Sequence, residues 1–148
     1  MTEPAAITLV KVLYTAEATV TGGRQGHGRT SDGSLEVDLV SPAELGGGGA
    51  PGTNPEQLFA LGYAACFQNA MLGIARRDHL TADDCTVTAR VGLGTIGEGR
   101  FGLTVALDVT LPSIADHAVA EELVAGAHKR CPYSNAVRGN IEVAITVR

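Results

Sequence analysis

The stretch NPEQLFALGYAACFQNAMLGIARRD, residues 54–78, reads as one long helix, and its place between two sets of strand patterns decides the fold class. Asn54 is a capping residue, Pro55 suits a first helical turn, and Glu56 sits where an acid complements the positive end of the helix dipole. Leu58, Leu61, Ala65, Leu72 and Ile74 keep helical spacing as far as about Asp78. Gly62, Cys66, Asn69 or Ala70, and Gly73 form a stripe of mostly small residues along it. A glycine costs about 1 kcal/mol inside a helix, so two of them predict close packing of its backbone against another element. This helix is expected to be central.

On its N-terminal side, Lys11 to Thr21 alternates, with Val12, Tyr14, Ala16, Ala18 and Val20 on one face, and predicts a strand. Gly22-Gly23-Arg24-Gln25-Gly26 breaks the pattern. Leu35, Val37 and Leu39 resume it as a second strand, able to pair antiparallel with the first. Residues 42–52 hold Pro42, Gly46 to Gly49, Pro51 and Gly52, and are expected to form a mobile loop. On the C-terminal side, Cys85, Val87, Ala89, Val91 and Leu93 alternate, as do Phe101, Leu103, Val105, Leu107, Val109 and Leu111, with a hairpin turn over Gly94–Arg100. Ser113 with Asp116 starts a further helix that ends on Lys129 and Arg130. Pro132 opens another short helical turn that Gly139 closes, and a last strand runs through Ile141, Val143, Ile145 and Val147. The order β-β-α-β-β-α-β predicts an α+β fold with mainly antiparallel sheets around the central cysteine-bearing helix. No boundary divides the chain, so residues 1–148 are expected to form a single domain.

Length and composition agree with a packed core: 148 residues, 45% hydrophobic and 18% charged. Tryptophan is absent and aromatics make only 4%, so Val, Leu, Ile and Ala must build that core. A formal charge of −5 argues against nucleic acid, whose binders carry a basic face. Thr2-Glu3-Pro4 brings no early Lys or Arg, and the apolar stretch Ala5–Val10 is shorter than a signal-peptide core. No run approaches the roughly 18 apolar residues that a membrane span needs, so no membrane association is expected. Three cysteines, an odd and low number, do not make a secreted disulfide scaffold. A cytoplasmic protein with free thiols is expected.

Two suggestive patterns are set aside. Gly92-Leu93-Gly94-Thr95-Ile96-Gly97 matches a dinucleotide fingerprint, but its chemistry needs a helix N-terminus directly after the glycines, and a strand pattern follows instead. His27, His79, His117 and His128 fall at no metal-ligand spacing, and no second pair completes a site for His128 and Cys131. No metal or cofactor is expected.

The cysteines differ in context. Cys85 shares the apolar face of a strand with Val87 and Ala89 and reads as a small core residue. Cys66, in mid-helix, also suits a core on its own. Cys131 precedes Pro132 at a helix start, where backbone N–H groups can favour a thiolate, and both an inert and a reactive thiol fit there.

Thr53-Asn54-Pro55-Glu56-Gln57-Leu58-Phe59-Ala60 and Gly62-Tyr63-Ala64-Ala65-Cys66-Phe67, with Cys131-Pro132-Tyr133-Ser134-Asn135-Ala136 and Arg138-Gly139-Asn140-Ile141, resemble the organic hydroperoxide resistance proteins. Lys11 to Ala16 and Thr21-Gly22-Gly23-Arg24 extend the resemblance over nearly the whole chain. These are thiol peroxidases of the broader group named for the osmotically inducible protein C. Leu61, Met71 and Val137 depart from the family pattern without removing a reactive group. The resemblance implies Cys66 as the peroxidatic cysteine, Cys131 as the resolving one, and Arg24 and Glu56 as their electrostatic partners. It also implies alkyl or fatty-acid hydroperoxides as substrates and a lipoylated protein or other dithiol as reductant. Cys85 has no counterpart in the motifs.

The chemistry asks for such a set. A thiolate breaks the O–O bond, and with a pKa near 8.5 only about 3% of a free cysteine is ionised at pH 7. Mid-helix, the dipole offers Cys66 little help, so an outside cation is needed. Arg24 can supply it, and Glu56 can hold the guanidinium with two hydrogen bonds. Ten residues of helix between Glu56 and Cys66 span about 15 Å. The expectation is therefore either a break in the helix or a site completed across an intertwined homodimer. Tyr63, Phe67 and Leu61 are candidates to line an alkyl pocket, with the 42–52 loop over it. Two alternatives remain: a peroxidase of broader range like the osmotically inducible protein, and a non-enzymatic thiol redox sensor.

Overall fold

The computed structural model describes residues 6–148, so the Thr2–Pro4 reading and the first residue of the Ala5–Val10 stretch lie outside it. The chain divides into two compact units between Pro55 and Glu56. Among the described residues, two three-stranded sheets and three α-helices make the architecture α+β, as expected.

The first unit holds β1 (Ala18–Thr21), β2 (His27–Thr30) and β3 (Glu36–Asp38), in the antiparallel order β1-β2-β3. Two expectations are corrected here. The strand predicted over Lys11–Thr21 is reduced to its last four residues, and 6–17 run without regular structure, with Ile7, Leu9, Val10, Val12, Leu13 and Tyr14 exposed. A strand needs a partner to satisfy its backbone, and β2 reaches only far enough to pair Ala18–Thr21. The second correction is β2 itself, which the apolar pattern does not reveal. His27-Gly28-Arg29-Thr30 buries only Gly28, and cross-strand hydrogen bonds from His27 to Asp38 (2.9 Å) and Glu36 (2.8 Å) hold it to β3. The strand at 36–38 therefore pairs with β2, not with β1.

The 42–52 segment is a loop, as expected, that opens on local turn structure. Ala43–Leu45 form a 3-10 turn, and the Gly46 and Gly47 N–H groups donate to the carbonyls of Ala43 and Pro42. Gly47 passes so close to the Ser41 carbonyl that a Cβ would lie 1.7 Å from its oxygen. Only glycine permits that approach.

In the second unit, α1 (Pro55–Arg77) is the helix read from residues 54–78. By length and composition alone it is apolar enough to cross a bilayer, yet Tyr63, Phe67, Met71, Ile74 and Ala75 bury one face in the protein core. β4 (Thr86–Gly97) and β5 (Arg100–Thr110) form the expected antiparallel hairpin, but the turn is only Glu98 and Gly99, both with positive φ, because most of the residues expected to turn, Gly94–Arg100, pair in the ladder instead. Gly92–Gly97 thus lie in a strand that a second strand follows. The second helix, α2 (His117–Arg130), begins later than Ser113 suggested, because Asp116 caps it by accepting from the Ala118 N–H at 2.9 Å. A short α3 (Pro132–Val137) follows, and β6 (Val143–Val147) returns parallel to β5. That one parallel pair requires the crossover that α2 and α3 provide. Val105, Leu107 and Val109 of β5 meet the α1 face and Ala120, Leu123, Val124 and Ala127 of α2 in one core.

Candidate functional site

Cys131 ends α2 and starts α3, with extended backbone angles between the two helices (φ −63°, ψ 122°). Its N–H donates to the Ala127 carbonyl and its carbonyl accepts from the Asn135 N–H, so the junction is fixed from both sides. The side chain is fully buried and reaches the middle of α1, where the Cys131 thiol donates to Cys66 Sγ at 3.5 Å. Cys66 keeps partial access to solvent, and all three cysteines are free thiols. Two residues 65 positions apart thus meet within a short movement of the disulfide bonding distance of about 2 Å. Cys85 is buried elsewhere in the core, its carbonyl accepting from Gln68 Nε2 at 3.0 Å.

Small residues on α1 open the way for α3. The Tyr133 ring lies on the helix so closely that a Cβ at Gly62 would come within 2.7 Å of its hydroxyl. Tyr133 packs against the rings of Phe59 (5.8 Å between centroids) and Tyr63 (5.6 Å). At Gly73 a Cβ would meet only ordinary contact with Arg130, so the expected close approach is confined to Gly62.

Behind the sulfur pair runs a hydrogen-bonded chain that the sequence reading passed over. Ser134 Oγ, fully buried, bonds the Tyr63 hydroxyl at 2.7 Å and His128 Nδ1 at 2.8 Å. A serine hydroxyl has one proton and two lone pairs, so it can satisfy both neighbours at once, with the donor in each bond set by the His128 tautomer. Arg138 donates to the His128 carbonyl at 2.6 Å and to Asn135 Oδ1. Among the described residues, no buried side-chain N or O lacks a partner. A signal existed in the spacing: His128 stands three residues before Cys131 and Ser134 three after, as Tyr63 stands three before Cys66.

Electrostatics within this unit work against a thiolate at Cys66. Burial pushes its pKa up, the hydrogen bond from the Tyr133 backbone N–H pulls it down, and the Cys131 thiol beside it raises it further. Burial also raises Tyr63, which keeps its phenolic proton at neutral pH. His128 is lowered by burial and then by the Arg138 charge, which favours its neutral form.

The other two expected site residues lie as follows. Glu56 is in the first turn of α1 and Cys66 ten residues on, with the helix unbroken between them. The break considered above is therefore absent. Arg24 belongs to the first unit, half-buried in a 3-10 turn (Gly23–Gln25) that Gly22 enters at φ 78°. Of the candidates for an alkyl pocket, Tyr63 and Phe67 are fully buried in the core and Leu61 is 71% exposed. A cleft of about 570 Å³ lies between the end of α1 and α2, lined by Ile74, Arg77, Leu80, Leu123 and Arg130 among others, and neither Cys66 nor Cys131 lines it. Among the described residues, no three His, Cys, Asp or Glu side chains gather into a metal-binding group.

Comparison with known proteins points one way. A family model described as OsmC-like protein matches residues 46–146. The organic hydroperoxide resistance protein of Xanthomonas axonopodis pv. citri is 51% identical over 138 residues, covering 93% of this chain and 96% of that protein. The crystal structure of an organic hydroperoxide resistance protein from Legionella pneumophila matches with a TM-score of 0.87 at 48% identity, covering 93% of this chain and 98% of that one. That of the organic hydroperoxide resistance protein OhrB of Bacillus subtilis matches with a TM-score of 0.83 at 41% identity, covering 93% and 100%.

Proposed function

The chain belongs to the OsmC-like family and, within it, to the organic hydroperoxide resistance proteins, and from that premise we propose that it is a thiol peroxidase acting on organic hydroperoxides. The observation that carries this reading is the 3.5 Å contact between Cys66 and Cys131 in an otherwise packed region. In the proposed cycle the Cys66 thiolate attacks the terminal oxygen of ROOH. An S–O bond forms, the O–O bond breaks, and the alkoxide leaves as ROH after taking a proton. The sulfur is now a sulfenic acid, oxidised by two electrons. Cys131 condenses with it to a disulfide, releasing water. An external dithiol of the lipoyl type then takes over the disulfide by two thiol exchanges. Cys85 has no part in the cycle.

Partial exposure of Cys66 suits a sulfur that meets both hydroperoxide and reductant, and full burial of Cys131 suits one that meets only Cys66. Since burial raises the Cys66 pKa, a cation has to offset it. Arg24 fills that role in this account, with Glu56 orienting the guanidinium. The assembly is an intertwined homodimer. Its support is the exposed apolar arm from Ile7 to Tyr14, which finds no partner strand among the described residues, together with exposed Leu61 on the apolar α1. In this reading residues 1–148 act as one hydroperoxide-reductase domain of the cytoplasm; the OsmC-like match over residues 46–146 crosses the division at Pro55 and supports the single domain.

Steady-state assays test the reading. Turnover of cumene hydroperoxide with dihydrolipoamide is expected to exceed turnover of hydrogen peroxide, and glutathione to be a poor reductant. Equal use of hydrogen peroxide would favour the broader-range peroxidase. A single stoichiometric oxidation with no turnover would favour a redox sensor.

A further inference from the structure

Two rungs join the same two segments of the second unit. One is the sulfur contact between Cys66 on α1 and Cys131 at the α2–α3 junction, 3.5 Å long. The other is the hydrogen bond between Tyr63 and Ser134, 2.7 Å long. On each segment the two rungs stand three residues apart, about one helical turn. A displacement of Ser134 from Tyr63 is therefore a displacement of Cys131 from Cys66. Ser134 is itself held from the far side. His128, in the last turn of α2, bonds the same hydroxyl at 2.8 Å, and Arg138 bonds the His128 carbonyl at 2.6 Å. Both links bridge over Cys131, so the junction cannot open without breaking one of them. Tyr63 and Ser134 are polar and fully buried and His128 is half-buried beside them, while Arg138 holds the chain from the exposed side. An apolar pair would pack there without desolvation cost. The polar chain gives direction where apolar packing alone would leave α3 free to slide.

We propose that Tyr63, Ser134 and His128 form a positioning chain for the resolving step, keeping the Cys131 thiol within reach of Cys66 as the Cys66 sulfenic acid forms. The inference rests on the thiol peroxidase reading above and concerns its second step alone. In that step the Cys131 sulfur attacks Cys66 Sγ, the S–S bond forms, the S–O bond breaks, and the departing hydroxide leaves as water with the Cys131 proton. The sulfenic sulfur is reduced by the electrons that the thiol sulfur gives up. None of the three side chains touches the hydroperoxide in this account, so the first step does not depend on them. A sulfenic acid left waiting is open to a second hydroperoxide, which takes it irreversibly to sulfinic acid. The chain thus also protects Cys66 from over-oxidation.

The test uses full-length protein carrying Tyr63→Phe or Ser134→Ala, with unfolding midpoints measured alongside. Cumene hydroperoxide is mixed in single turnover, samples are acid-quenched, and mass spectrometry follows Cys66 as thiol, disulfide and sulfinic acid. Loss of the Cys66 thiol is expected to keep the wild-type rate within about twofold, while disulfide formation slows about tenfold, the rate equivalent of one buried hydrogen bond. The hydroperoxide concentration that converts half of Cys66 to sulfinic acid is expected to fall by a similar factor. Tyr63→Phe keeps the ring and its packing, so it carries the test if Ser134→Ala does not fold. Disulfide formation at the wild-type rate in Tyr63→Phe, or both steps slowing in proportion, overturns the proposal. If the wild-type protein forms no Cys66–Cys131 disulfide at all, the thiol peroxidase reading fails instead.

Discussion

At Cys66 the sequence motif and the local physics pull in opposite directions. The motif points to a nucleophile, which has to be a thiolate, but burial raises the pKa and the neighbouring Cys131 raises it further, against one backbone N–H that lowers it. A thiol raised in this way is ionised at neutral pH to less than the few per cent of a free cysteine. Attack then speeds up as pH rises, unless a cation brings the ionisation down. If Arg24 supplies that cation, Arg24→Ala moves the midpoint of Cys66 alkylation by iodoacetamide upward, by about one pH unit or more. Peptide mapping separates this thiol from the two others. Superimposable alkylation curves for the variant and wild type would remove Arg24 from the account.

Among the elements, those with strong apolar periodicity were legible and those held by polar pairing were not. The α1 helix, the β4–β5 hairpin, the capped α2 and the Pro132 turn all follow from spacing, caps and turn residues. β2 stayed hidden because His27-Gly28-Arg29-Thr30 puts its one buried position on a glycine and is joined to β3 partly through His27. The strand over Lys11–Thr21 failed for the opposite reason. Its alternation is clear, but pattern alone cannot provide a partner, and only Ala18–Thr21 find one. The site divides in the same way. Cys66 and Cys131 were identified through motifs and meet in space. The Tyr63–Ser134–His128 chain was missed because its members are polar and lie 71 and six residues apart, so apolar periodicity does not mark them and only their three-residue offsets from Cys66 and Cys131 do.

For the whole molecule, an arm carrying six exposed large apolar residues (Ile7, Leu9, Val10, Val12, Leu13 and Tyr14) is a liability for a lone chain. The proposed intertwined dimer would remove it by giving the arm a second copy to pair with. Light scattering is expected to return twice the 15.2 kDa chain mass, with Leu13→Glu shifting the population toward monomer. A wild-type protein that is monomeric at micromolar concentration would contradict this assembly. The claim on which everything else depends is the working pair of cysteines. The most direct measurement is peptide mapping after one equivalent of cumene hydroperoxide. The expected result is a Cys66–Cys131 disulfide, an unmodified Cys85 thiol and one equivalent of cumyl alcohol, with disulfide and alcohol both lost in Cys66→Ser. A disulfide that includes Cys85, or alcohol produced at the wild-type rate by Cys66→Ser, would contradict it.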